Sequence, residues 1–153
     1  MAHTTHKASP ARRAAGVART GVRLLMGLAL AGAGVSHLTV AREEFQAQVP
    51  EFVPLPVDVT VVASGVAEIA IGAALVAAPK RVRPLVGLVT AAFFIAIFPG
   101  NVAQWIHGRD GFGLDTDAAR FGRLFFQPVL VAGALWSTGA WKTLRQRMRA
   151  RKR

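Results

Sequence analysis

The stretch ASGVAEIAIGAALVAA, residues 63–78, decides how the chain folds. Almost every residue in it is small or apolar, and one carboxylate, Glu68, interrupts the pattern. A carboxylate in hydrocarbon is costly in free energy, so it has to be protonated, paired or in contact with water. This segment therefore raises two questions: whether it crosses a membrane, and which groups Glu68 meets there.

Apolar residues are gathered in four blocks of about 17 to 22 residues, and Glu68 is the single charge within them. About 20 residues are needed to cross ~30 Å of hydrocarbon. The blocks lack the polar stripe of a soluble helix and the alternation of a membrane strand. We expect an all-α integral membrane protein, a four-transmembrane-helix bundle with spans at about 20–40, 58–79, 84–106 and 122–142.

Positive charge is concentrated in three places. Fifteen of the 19 Lys and Arg lie in the N-terminal segment through Arg23, in the turn 80–83, or from Lys142 to the end. The eight acidic residues lie in the loops 41–58 and 107–123 or in the second apolar block. Four spans put the three basic segments on one side, which the positive-inside rule identifies as the cytoplasm. Both termini are therefore expected in the cytoplasm.

The chain divides into three parts by composition. Residues 1–16 are polar and small and are predicted to be a disordered basic tail, residues 17–142 the membrane domain, and residues 143–153 a basic cytoplasmic tail. The net charge is +11, and most of the basic residues lie in the three segments that four spans would put on one side of the membrane. This distribution favours attraction to anionic lipid over nucleic-acid binding. An alternative is a cleaved signal peptide ending near residue 31, which would leave three spans.

Several kinds of chemistry are excluded by residue content. The chain has no cysteine, so thiolate catalysis, disulfide exchange and cysteine-held metal or iron–sulfur sites are ruled out. No flavin, haem or metal motif is present either, and His37 with Glu68 is too few ligands for a metal site. We expect no catalysis by this chain alone.

Polar residues within the predicted spans collect at one level once helix direction is taken into account. Spans one and three run outward and spans two and four run inward, so the set falls in the outer half. We predict an outward-facing crevice, floored by Glu68 and roofed by the proline-rich loop 41–58, that forms a ligand site. Its residues are His37, Ser64, Glu68, Asn101, Gln104, Arg123 and Gln127.

The alternative for these residues is structural. Pro99 and Pro128 each leave a backbone carbonyl without its helical donor, and Asn101 or Gln127 could serve those carbonyls. The inner half of the spans is nearly all Ala, Val, Leu and Gly, which argues against an ungated channel. Pro99 is also expected to kink or break the third span.

The chain resembles the DoxX family of small bacterial four-span membrane proteins. The pieces that carry the resemblance cover about 110 residues in order: His37 with PEFVPLP at 50–56, SGVAEIAIG at 64–72, PKRVRP at 79–84, FPGNVAQW at 98–105 and RLFFQP at 123–128. The chain departs from the usual pattern at Leu38, where the family has Phe, and at Phe125 and Phe126.

The resemblance implies a location and a role. It suggests a multi-pass protein of the bacterial cytoplasmic (inner) membrane that serves as an accessory or ligand-binding subunit of a membrane redox or oxidative-stress system. A quinone would be the ligand, and a partner oxidoreductase subunit or a second copy of the chain the partner. Two alternatives stay open: a scaffold that recruits partners through its basic tails, and a proton-coupled small-solute transporter that uses Glu68.

Overall fold

A computed structural model of the protein describes residues 9–151, and within that range it contains helices and loops but no strand. Three helices are long and apolar enough to cross a membrane, and a bent helix pair at 117–150 makes up to four. The predicted all-helical class is therefore confirmed. The helices in chain order are α1 (Pro10–Leu38), α2 (Arg42–Gln46), α3 (Val57–Ala77), α4 (Arg83–Ile106), α5 (Asp117–Leu124), α6 (Phe126–Thr138) and α7 (Ala140–Ala150).

The first helix begins earlier than the sequence suggested. It starts at Pro10, a residue favoured in the first turn because it has no N–H to leave unpaired, and continues through an Ala- and Arg-rich segment of high helix propensity. Residues 10–16, predicted to be part of the disordered tail, are therefore helical. Residues 1–8 of that tail, and residues 152–153, lie outside the described residues.

The fourth apolar segment is the least regular. Phe125 separates α5 from α6, and Gly139 ends α6 in the left-handed conformation with φ 82°. Because a glycine adopts that φ at little cost, the chain turns by 84° between the helix that ends at Thr138 and α7. The predicted span at 122–142 thus ends at Thr138. By contrast, α4 runs unbroken through Pro99, where the sequence predicted a kink or break.

Two glycine pairs bring the backbones of α1 and α3 together. A Cβ atom at Gly34 would lie 2.5 Å from the carbonyl oxygen of Gly65, and one at Gly72 would lie 2.5 Å from that of Gly27. No other residue type fits there, because every other side chain begins with a Cβ. The two helices run antiparallel and make the most extensive helix contact within residues 9–151.

Arginines close the C-terminal end of α3. Buried Arg23, on α1, donates to the carbonyl oxygens of Leu75 and Val76, and Arg83 Nε donates to Ala78 O at 3.0 Å. The carbonyls of Leu75 and Val76 are among the last of α3, and Ala78 follows directly after the helix. They lie at the negative end of the helix dipole, which a cation stabilises. Two residues of the predicted basic segments therefore also hold the helix ends together.

The packed core lies toward this same end of the molecule. Leu75 and Ala134 are fully buried, and Ala91 is nearly so; together with Leu30 and Phe94 they link α1, α3, α4 and α6. Elsewhere α6 packs along α4 and touches α1, while α3 and α4 meet over a much smaller part of their lengths. The opposite ends of the helices therefore leave space between them.

The glycine contact between α1 and α3 predicts a position-specific effect on stability. Gly34→Ala should lower the free energy of unfolding by roughly 1–3 kcal/mol, because the new methyl group meets backbone atoms that cannot move aside. Gly32→Ala is the matched control, since a Cβ there meets nothing within 4 Å. Thermal unfolding in detergent measures both variants. Equal melting temperatures would contradict the close contact.

Candidate ligand-binding site

A cavity of about 830 Å³ lies where α3 and α4 separate, and it reaches from the loops at one end of the helices to residues of the core. Its walls come from α1, α3, α4 and α6, and the segment 48–55 with Phe45 and Phe112 covers it. Exposed Ala63 of α3 and Ala96 of α4 both line it, so the cavity opens sideways between these helices. Its volume is in the range of pockets that hold small molecules.

Six of the seven predicted site residues line this cavity. The exception is Gln104, which is fully buried beside the cavity, behind the loop residue Gln48. Gln104 lies one helical turn beyond Asn101, at a level where the loop already covers α4, so it cannot reach the interior. The six that line the cavity are His37, Ser64, Glu68, Asn101, Arg123 and Gln127.

His37 and Glu68 face each other across the contact between α1 and α3. Both residues are only 5% exposed. His37 Nδ1 lies 3.1 Å from Val61 O, and His37 Nε2 lies 3.4 Å from Glu68 Oε2. This second approach is not a hydrogen bond, and both atoms lack a hydrogen-bond partner within the described residues. Buried polar atoms in this state carry a free-energy cost.

Asn101 and Gln127 satisfy each other. Asn101 Nδ2 donates to Gln127 Oε1 at 3.1 Å, and Gln127 Nε2 donates to the carbonyl oxygen of Phe94, one residue before the carbonyl that Pro99 leaves free. Gln127 therefore joins α6 to the backbone of α4. The geometry therefore gives these two residues a structural role, but not the one expected, because neither of them donates to the carbonyl that Pro99 leaves free.

Arg123 is held at the covered end of the cavity. Its guanidinium carbon lies 5.2 Å from the centre of the Phe112 ring. With the Gln48 carboxamide oriented so that its oxygen faces the guanidinium, that oxygen accepts from Arg123 at 2.9 and 3.0 Å. In this orientation the Gln48 carboxamide oxygen also lies 3.2 Å from Gln104 Oε1. The Arg123 guanidinium is thus engaged by the roof of the cavity.

Aromatic side chains form part of this roof. The Phe45 ring stacks on His37, with centroids 3.3 Å apart, and packs edge-on against Phe112 at 4.5 Å. Phe112 has φ 57°, an unusual value for a residue with a side chain, and its N–H donates to a Glu44 carboxylate oxygen. Arg109 then ties the two loops together through Val49 O at 3.0 Å and Glu51 at 2.9 Å.

The cavity extends further than predicted. Glu68 lies in its wall and does not form its floor, because the cavity continues along α1 past small side chains to Leu25 and Met26. This part is apolar, and two residues of the cavity wall, Leu30 and Phe94, belong to the packed core. The cavity therefore has a polar region around His37 and Glu68 and an apolar region beyond it.

Two residues of the site were missed by the sequence analysis. Gln48 lies in a loop, where no periodic pattern singles out a residue. Its position depends on Gly100, because a Cβ there would collide with the carbonyl oxygen of Gln48. Phe112 lies in a glycine-rich loop that gives no periodicity to interpret. No group of three or more potential metal ligands occurs between Ser9 and Arg151.

Comparison with known proteins gives one match. The model of a family described as a domain of unknown function, DUF8561, matches residues 26–138. This range runs from within α1 to the end of α6, and it contains every residue that lines the cavity except Leu25. No curated protein and no solved structure matches the chain.

The Asn101–Gln127 hydrogen bond predicts an energetic coupling. Asn101→Leu and Gln127→Leu should each lower the free energy of unfolding by about 1–3 kcal/mol, because each leaves a buried partner unsatisfied. The double variant should lose about 1 kcal/mol less than the sum of the two single losses. Chemical unfolding of the four proteins measures this difference, and strict additivity would show that the bond does not form.

Proposed function

The chain belongs to the DUF8561 family, and we propose from its cavity that it is a membrane protein that binds one lipid-like ligand. In this proposal the polar head of the ligand lies at His37 and Glu68, and its apolar part extends toward Leu25 and Met26. A single observation carries the proposal: the cavity is apolar over most of its wall, yet two buried polar residues with unpartnered atoms, His37 and Glu68, line one region of it.

The sideways opening supports entry from a lipid phase. Residues on both sides of the opening, such as Val59 of α3 and Ile95 of α4, expose their apolar side chains to the surroundings. Exposed apolar surface of this extent is unfavourable in water and ordinary in a bilayer. A molecule dissolved in the bilayer would reach the cavity between α3 and α4 without crossing the roof.

We propose four spans, with α5 and α6 together forming the fourth and both termini in the cytoplasm. The charge distribution supports this orientation, and so does α7, which turns away from α6 by 84°. Its apolar residues Trp141, Leu144 and Met148 share one face, and four Lys and Arg lie around the others. Such a helix suits the surface of a bilayer that contains anionic lipid.

A quinone is the ligand that we propose, and the bacterial cytoplasmic membrane is the location. The DoxX resemblance of the cavity segments, 64–72, 98–105 and 123–128, supports both. Since the chain has no cysteine and no flavin or haem motif, electrons would have to pass through a partner subunit. The protein would then act as the quinone-holding accessory of a membrane redox or oxidative-stress system.

A scaffold that recruits partners through its basic segments is the second candidate. The exposed positive face of α7 favours it, because that face has no acidic partner among the described residues. A transporter receives less support, since the core around Leu75 and Ala134 closes the end opposite the cavity.

Filling the cavity should remove the ligand. We expect native mass spectrometry of the protein, released from its membrane in mild detergent, to show a retained quinone-type lipid that Ala67→Phe lacks. Ala67 lines the cavity, so a phenyl ring there takes up the space of the ligand.

Ala70→Phe is the matched control for this substitution. Ala70 lies three residues further along the same helix, is exposed and does not line the cavity. The control should retain the lipid, and both variants should be checked for unchanged helix content by circular dichroism. Equal retention in wild type and Ala67→Phe would reject the cavity as the site.

The proposed orientation can be tested by cysteine labelling, because the natural chain has no cysteine and each variant carries a single thiol. In intact cells, a membrane-impermeant maleimide should label Asp115→Cys, in the loop after α4, but not Lys80→Cys, in the turn between α3 and α4. Permeabilised cells should show labelling at both positions. Labelling of Lys80→Cys in intact cells would contradict the orientation.

A further inference from the structure

Acidic and basic residues lie toward opposite ends of the helices. The eight Asp and Glu residues are in the two loops that cover the cavity or at Glu68. At the other end, where α3 ends and α4 begins, the charged residues are all Lys or Arg. Arg42, Arg109 and Arg120 each form an ion pair, whereas the arginines of this other end have no carboxylate within ion-pair distance among the described residues.

Two of these arginines, Arg23 and Arg83, come from different helices and converge on the C-terminal end of α3. Arg23 Nη1 donates to the carbonyl oxygens of Leu75 and Val76. Arg83 Nε donates to the carbonyl oxygen of Ala78. Both guanidinium groups are therefore held at one helix end, where their like charges repel each other. An anion bound by both would offset this repulsion.

Each of the two arginines keeps donors that the protein does not use. A guanidinium has five N–H groups. The bonds to α3 use Nη1 of Arg23 and Nε of Arg83, and their other nitrogens have no acceptor among the described residues. Arg83 is half-buried, and the unused nitrogens of buried Arg23 are not sealed inside the protein. Both side chains can therefore donate to an anion while they stay bound to α3.

The surroundings of the two arginines suit a lipid better than a free ion. Arg19, one turn before Arg23, lies over Trp136, with its guanidinium carbon 5.6 Å from the ring centre. Tryptophan is enriched where a bilayer meets water, so Trp136 marks the level of the phosphate groups. Exposed apolar side chains that could contact acyl chains follow on α3 and α4: Val76, Leu85 and Val89.

We propose that Arg23 and Arg83 together bind the phosphate of an anionic phospholipid at the cytoplasmic end of the helices. This site rests on the proposed membrane location and orientation, and it is separate from the cavity, which neither arginine lines. Guanidinium groups bind phosphate through paired, charge-assisted hydrogen bonds. A head group without a positive charge of its own fits a protein end that has a surplus of basic residues.

A lipid titration tests this site. Native mass spectrometry of the delipidated protein in detergent gives the Kd of the first palmitoyl-oleoyl phosphatidylglycerol bound. Arg83→Gln should raise this Kd at least about tenfold, because it removes one of the two guanidinium groups that hold the phosphate. Circular dichroism checks that the variant keeps its helix content.

Arg81→Gln is the matched control. Arg81 is exposed in the same turn, and its side chain makes no hydrogen bond to the end of α3, so the variant removes the same charge without changing the site. Its Kd should rise less than about twofold, as expected for an exposed charge. Equal weakening in both variants would overturn the proposal, because binding would then depend on total charge alone.

Two further probes identify the source of the phosphate. Phosphatidylcholine with the same acyl chains should bind at least about tenfold more weakly, because its choline group adds a positive charge. Inorganic phosphate should not displace the bound phosphatidylglycerol. Equal binding of the two lipids, or displacement by inorganic phosphate, would overturn an anionic phospholipid as the ligand.

A measurement on the wild type keeps the proposal falsifiable if Arg83→Gln does not fold. Phosphatidylglycerol with a diazirine in its head group should label the segment 79–84, and labelling confined to α7 would overturn the site. Neither experiment depends on the cavity. Failure of this site would therefore leave retention of a quinone unchanged, which distinguishes it from failure of the proposed function.

Discussion

The backbone contact between α1 and α3 is the constraint on which the rest of the structure depends. Gly34 and Gly65 bring the two helices so close that a single methyl group would not fit between them. His37 lies one turn beyond Gly34 on α1, and Glu68 lies one turn beyond Gly65 on the antiparallel α3. The two side chains therefore start on opposite sides of the glycine contact and meet beside it, with Nε2 3.4 Å from Oε2. The polar centre of the cavity is thus a consequence of helix packing.

The cavity forms because the packing is uneven. The helices are held tightly at one end by the core around Leu75 and Ala134 and by the arginines that cap α3. At the other end α3 and α4 part, and two loops joined by Arg109 cover the space between them. The closely packed end stabilises the fold, and the separation of α3 and α4 at the other end leaves room for a ligand.

Much of this arrangement could be predicted from the sequence. The lengths of the apolar blocks predicted the ends of α3 and α4 to within one or two residues. This works because the thickness of the hydrocarbon layer and the rise per residue together fix the length of a spanning helix. Helix direction then placed seven polar residues in the outer half of the spans, and six of them line the cavity. The sequence could not give Gln48 or Phe112, whose positions depend on loop contacts, nor the helical start at Pro10. It also could not show that Asn101 and Gln127 pair with each other, which requires the distance between α4 and α6.

The residues that a bound ligand touches decide whether the cavity is its binding site. An alkyl quinone with a photoreactive diazirine on its tail can be cross-linked to the protein in native membranes, and the labelled residues identified by peptide mass spectrometry. If the cavity holds the ligand, labelling falls on its wall around Met26, Leu30 and Phe93 and is suppressed by excess unlabelled quinone. Labelling spread evenly over exposed residues such as Val66 and Val129, and insensitive to competitor, would contradict the cavity as the binding site.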